Sequence, residues 1–248
     1  MAFTPDICLL AIGIEFFCFF IKGLAAFGDP LISTPLLSMI MDNRVISPMN
    51  LLLGTPINAH MAWKNRKAFT AKTVVPILIA ILCGIIPGVV LLKYATSWTL
   101  KACLGALVIG IGVEMLVRDR TKPAKNSKVM MIVASFFSGV TAGLYGINLF
   151  FVAYVERTTK TREAFRGNVC FIFLVENIFR LIVYIISGVL TREVLTLALA
   201  TMPGAFLGFF LGSRVDKRLS ERAIRYIIIA MFMAGGVSIL VKALVLKS

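Results

Sequence analysis

The clearest chemistry in this sequence sits inside an apolar run. In FIFLVENIFRLIVY (171–184), Glu176 and Arg180 are four residues apart, and Asn177 lies three before the arginine. On a helix this spacing puts carboxylate and guanidinium on one face, about 6 Å apart along the axis. A planar guanidinium binds two oxygens of a sulfonate or carboxylate at once, and Glu176 and Asn177 can orient it. A purely structural ion pair is the competing reading, although two desolvated charges are expensive to bury.

Two other stretches interrupt apolar sequence. GLAAFGDPLISTP (23–35) places Gly28, Asp29 and Pro30 between CLLAIGIEFFCFFI and LLSMIM; YGIN (145–148) brings Gly146 and Asn148 into the second half of the chain. Glycine permits a sharp bend, and Pro30 suits a first helical turn because its missing N–H would be orphaned anyway. Asp29 and Asn148 are expected to cap the half-helices that follow. Two helix N-termini aimed at one centre would attract an anion; helix packing by small residues is the alternative. Asn58 and His60, the only histidine, share a segment with Asn50 and Thr55. The titration range of His60 suits a ligand or proton relay, against the plainer reading of a satisfied polar side chain. Glu15 and Lys22 lie in the first apolar run, where Lys22 can snorkel. Glu114 is one turn from Arg118 and reads as an interfacial pair.

The elements that must hold these groups are membrane helices. The 248 residues are 59% hydrophobic and 15% charged, with a mean hydropathy of +0.92. Soluble domains run near a quarter charged, so the chain reads as a polytopic all-α protein of the cell (inner) membrane, with the lipid bilayer as a partner. The net charge of +14 does not point to nucleic acid: 18 of the 26 Lys and Arg fall in the clusters Lys64–Lys72, Arg118–Lys128, Arg157–Arg166 and Arg214–Arg225. Each cluster separates apolar runs, as cytoplasmic loops do. Five scattered cysteines, without CxxC or Cys/His spacing, read as buried free thiols. Nothing in the sequence calls for a cofactor or a metal, and no enzyme motif or nucleotide-binding loop is present; transport would be secondary, with proton or sodium coupling compatible.

Apolar segments fall near 7–27, 30–41, 46–63, 73–93, 100–117, 129–143, 146–156, 166–190, 193–212 and 223–246. Segments 30–41 and 146–156 are too short to cross comfortably and read as broken or re-entrant helices. With the basic clusters inside, both termini fall outside. The halves echo each other. CGIIPGVVLL (83–92) matches PGAFLGFFLG (203–212) with Gly84/Gly204 and Gly88/Gly208 in step, and FIKGLAAFGDPL (20–31) matches FFSGVTAGLYGINL (136–149) after a two-residue gap. The expected plan is a first repeat over 1–118, a cytoplasmic linker at 119–128 and a second repeat over 129–248. Each repeat has about five segments, an odd number, so the copies are inverted, with a site at their interface.

The bend GLAAFGDPLISTPLL, the small-polar segment GTPINAH with its basic exit WKNRK, and the repetition of this plan after a basic loop resemble the TauE/SafE family of sulfite and organosulfonate exporters. The resemblance covers nearly the whole chain. It implies a secondary transporter of a small anionic substrate such as sulfite, an organosulfonate or a related organic acid. An anion channel and a membrane-embedded enzyme are the alternatives.

Overall fold

The computed structural model describes residues 5–25, 28–68, 70–117, 128–148, 150–152, 155 and 161–215, with the isolated positions 237 and 241. Among these residues there are eight continuous α-helices and no strand: α1 (Pro5–Ala25), α2 (Asp29–Ser38), α3 (Asn43–Lys64), α4 (Ala71–Tyr94), α5 (Ser97–Val117), α6 (Lys128–Tyr145), α7 (Arg162–Ser187) and α8 (Arg192–Val215). Residues 150–152 and 155 are also helical. Segment 223–246 apart from positions 237 and 241, residues 119–127 and 216–222, the Glu114–Arg118 pair and the placement of the C-terminus lie outside what is described.

Among the described residues, five helices are long and apolar enough to cross a bilayer: Pro5–Leu24, Val74–Tyr94, Lys128–Tyr145, Gly167–Ser187 and Arg192–Val215. At 1.5 Å per residue, the 21 residues of α1 reach about 31 Å, the thickness of a hydrocarbon core. The ten residues of α2 reach only about 15 Å. Large apolar side chains face outward on these helices, Ile79 and Ile86 on α4, Ile182 and Ile186 on α7, Leu199 and Leu207 on α8. The buried set includes five charged residues and several asparagines. That polarity, apolar outside and polar within, belongs to a protein dissolved in lipid. Cys18 and Cys170 are buried as expected, but Cys83 and Cys103 are exposed, a correction explained by their place on outward-facing sides of α4 and α5.

Two glycine seams hold the bundle. On α8, Gly204, Gly208 and Gly212 lie against the backbone of Ile12, Phe16 and Phe20 of α1, and Gly23 of α1 lies against Phe209 and Gly212. On α4, Gly84 and Gly88 lie against Phe136, Gly139, Val140 and Gly143 of α6. At each of these glycines except Gly204, where the Ile12 side chain is nearest, a Cβ would collide with main-chain atoms that cannot move aside. Between apolar helices in lipid, this close approach and its dispersion contacts are the main source of association. α3 packs on α7 and also meets α8, while α4 meets α7.

The polar segment α3 carries two internal prolines, Pro48 and Pro56, yet stays helical over 22 residues. Asp42 caps it by accepting from the Arg44 N–H at 2.9 Å and also accepts from the Ser97 hydroxyl of α5. Asn50, Gly54 and Asn58 recur every four residues, so they share one face, and all three turn toward the interior.

Candidate functional site

The two bends meet. Gly28 has φ +106° and Gly146 has φ +76°, the left-handed region that favours glycine. A Cβ at Gly28 would meet nothing within 4 Å, so its requirement is conformational. A Cβ at Gly146 would also lie 3.3 Å from Pro30 Cβ and 3.5 Å from Arg180 Nη1. The break after α6 is therefore packed on the first turn of α2. Thr34 of α2 strengthens the join by donating to the Tyr145 carbonyl at 2.9 Å.

The capping differs from the sequence expectation. Gly28 itself is the N-cap of α2, and no side chain caps that end. Asp29 turns instead to Lys22, with Oδ2 and Nζ 2.9 Å apart. Asn148 donates from Nδ2 to Glu176 Oε2 at 2.7 Å, and the Phe151 N–H is met by the Ser138 hydroxyl at 3.4 Å. In each case a buried charge outcompetes a free N–H for the polar side chain, because charge-assisted hydrogen bonds are about twice as strong as neutral ones.

Around the meeting point lies a small cavity of about 30 Å³. By the same measure one water needs about 10–15 Å³, so the space suits a compact polar group. Lys22, Asp29, Asn50, Asn58, Asn148, Asn177 and Arg180 supply its polar wall, and Gly28, Gly54 and Gly146 are its glycines. Gly54 is what lets them converge: a Cβ there would stand 3.4 Å from Asp29 Oδ2 and 3.7 Å from both Lys22 Nζ and Asn177 Nδ2.

Arg180 is 2% exposed and held at one end only. Its Nη1 donates to the Ala142 carbonyl at 2.5 Å and lies 3.4 Å from Glu176 Oε1. The Ala142 carbonyl belongs to the last turn of α6, the negative end of that helix, where a cation is favoured. Tyr184, one turn further along α7, donates to the neighbouring Gly143 carbonyl at 2.8 Å. The other edge of the guanidinium is nearly unused: Nη2 makes one long contact, 3.5 Å to Asn177 Oδ1, and Nε has no partner. Asn50, Asn58 and Asn148 also each leave their side-chain oxygen unpaired. These buried groups stand around one cavity, and an unmet buried polar group costs about 1–3 kcal/mol. The arrangement can hold a small polyoxygen anion by the side edge of Arg180 and the Lys22 ammonium, while the unpaired asparagine oxygens are acceptors for any donor group that accompanies it.

Of the residues that the sequence singles out, Arg180, Asn177, Asn58, Gly28, Asp29, Gly146 and Asn148 line this cavity. Glu176 stands just behind it, holding Arg180 and Asn148. His60 lies apart from it, exposed, with its ring 6.3 Å and 6.4 Å from those of Phe209 and Phe210. Lys22 does not snorkel: it is 1% exposed and ion-paired. Asn50 and Gly54 join the wall without being among the sequence candidates; the four-residue repeat Asn50, Gly54, Asn58 is the signal that marks them.

No curated protein and no solved structure matches the chain in comparison. The family model described as sulfite exporter TauE/SafE matches residues 11–239, which include the whole cavity wall. Members of that family are exporter-type transporters, and the long apolar helices make this a multi-pass membrane protein. The chain belongs to the sulfite exporter TauE/SafE family.

Proposed function

We propose that this protein is a secondary transporter of sulfite or a small organosulfonate, and that the anion binds in the cavity between the two bends. The observation that carries the reading is the free side edge of Arg180. Its Nε and Nη2 are parallel donors with no strong protein acceptor, set in a cavity that Lys22 and four asparagines also line. A tetrahedral or pyramidal oxyanion offers oxygens spaced for that edge. Asp29 and Glu176 neutralise the two cations while the site is empty, so the incoming anion competes with them.

The two halves act as inverted repeats that rock about this site. Supporting this, exchanging α1 with α6 and α4 with α8 carries one glycine seam onto the other, and it carries the bend at Gly28 onto the bend at Gly146. The cavity then sits where the repeats cross. Both termini face outside, because that assignment places the basic loops in the cytoplasm.

The test is a thermal-shift screen of the purified protein against sulfite, sulfate, methanesulfonate, sulfoacetate and simple carboxylates. A ligand that binds only the folded state raises its stability by mass action. Sulfite or a sulfonate is expected to raise Tm in a saturable way that Arg180→Met abolishes. A shift by carboxylates alone would move the substrate class, and no shift by any anion would contradict the site. Non-saturable anion conductance in a bilayer would favour a channel.

A further inference from the structure

Five charged side chains are buried among the described residues: Glu15, Lys22, Asp29, Glu176 and Arg180. Lys22 pairs with Asp29 and Arg180 with Glu176. Two cations therefore face three carboxyl groups, and Glu15 has no cation of its own. It is fully buried, and neither of its oxygens has a hydrogen-bond partner. It lies on α1 between the Ile12 and Phe16 positions that pack on Gly204 and Gly208 of α8. The only charged residues of α8, Arg192, Glu193 and Arg214, lie at its ends. From α2, Glu15 faces the Ser33 hydroxyl and Asp29; on its own helix Lys22 and the Cys18 thiol are the ionisable neighbours.

Ser33 stands between this carboxyl and the cavity. Its hydroxyl accepts from Asn50 Nδ2 at 2.7 Å, and Asn50 lines the cavity with Lys22 and Asp29. Glu15 therefore stands behind the anion site, separated from it by a serine and an asparagine.

Resting on the reading of the cavity as an anion site, we propose that Glu15 binds the coupling proton, so that one proton is taken up with each anion. With every group ionised, the five side chains sum to one negative charge. A bound monovalent anion makes two, in a region of low dielectric where uncompensated charge is costly. A proton added from solvent to a Glu15 carboxylate oxygen restores the original balance, and the O–H bond breaks again when the anion leaves. Anion and proton thus favour each other's binding, and the linkage is reciprocal. Asp29 and Glu176 are the competing acceptors, but each already has a cation at 2.9 Å and 3.4 Å respectively.

Sulfonates are strong acids, so any proton that accompanies them belongs to the protein. The experiment adds methanesulfonate, a monovalent anion with no weakly acidic group, to the full-length protein in weakly buffered detergent, across a range of pH, and follows a pH indicator alongside binding. Wild type is expected to take up about one proton per anion over part of the range, with affinity weakening by up to about tenfold per pH unit on the alkaline side. Glu15→Gln is expected to bind the anion with no uptake and a flat pH profile. Glu15→Asp, the variant to use if the glutamine protein does not fold, should keep the uptake and shift its midpoint. Unchanged uptake in Glu15→Gln, an unshifted midpoint in Glu15→Asp, or anion binding by wild type without uptake at any pH would each overturn the proposal. Failure of wild type to bind sulfite or any sulfonate would instead sink the anion-site reading itself, and this proposal with it.

Discussion

Arg180 Nη1 donates to the Ala142 carbonyl at 2.5 Å, joining the middle of α7 to the last turn of α6. The bond gives one arginine two duties, because the same side chain that closes the end of a helix presents its other edge to the cavity. Arg180→Lys separates them. A lysine keeps the charge and can reach one acceptor, but it loses the two-pronged edge. Anion affinity is expected to fall by about 1–3 kcal/mol, roughly five- to 150-fold in Kd, while the protein still folds. Titration calorimetry against a sulfonate checks this, and unchanged affinity would remove Arg180 from the site.

The neighbouring Tyr184 hydroxyl donates to the Gly143 carbonyl and shares a 2.8 Å hydrogen bond with Ser47 of α3. Tyr184→Phe leaves a buried carbonyl and a buried hydroxyl without that partner. A loss of about 1–3 kcal/mol in stability is expected. A lowered Tm with unchanged anion affinity would fit, since Tyr184 is not part of the cavity wall.

Gly208 sits on the Phe16 carbonyl across the α1–α8 seam, whereas a Cβ at Gly13, elsewhere on α1, would have nothing within 4 Å. Gly208→Leu should force the helices apart and cost at least the 1–3 kcal/mol typical of overpacking, as roughly that range applies even where neighbours can shift. Gly13→Leu should leave Tm nearly unchanged. Equal effects at both positions would show that the seam is not a close contact.

His60 stands outside the cavity with its ring beside Phe209 and Phe210. His60→Ala is expected to leave anion affinity and its pH profile unchanged. A lost pH dependence in that variant would return the proton-relay role to this histidine and remove it from Glu15.

Much of this site is legible in the sequence, and the misses have physical causes. Gly28 and Gly146 stand out because glycine beside Asp, Pro or Asn inside an apolar run has little use except to break a helix. Glu176 and Arg180 are legible because four residues is one turn. Lys22 and Asp29 are harder: seven residues and a break in the helix separate them, and no periodicity rule crosses a bend. His60 and Asn58 look alike as polar residues of one segment, but two residues on a helix are about 200° apart, so both cannot face one cavity. The run Asn50, Gly54, Asn58 follows the same rule in the other direction and marks the face that does. The last apolar segment, 223–246, lies almost wholly outside the described residues, so the proposed second repeat rests there on sequence alone.

The most direct test is flux through proteoliposomes carrying Arg180→Met together with Glu176→Gln. Removing both partners of a buried pair is far milder for folding than removing one, because no uncompensated charge remains. Wild type is expected to exchange labelled sulfite or sulfoacetate with saturable kinetics, and the folded double variant to lose that exchange. Near-normal exchange by the double variant would contradict the account: the Arg180–Glu176 pair would then be structural, and the anion would have to bind elsewhere.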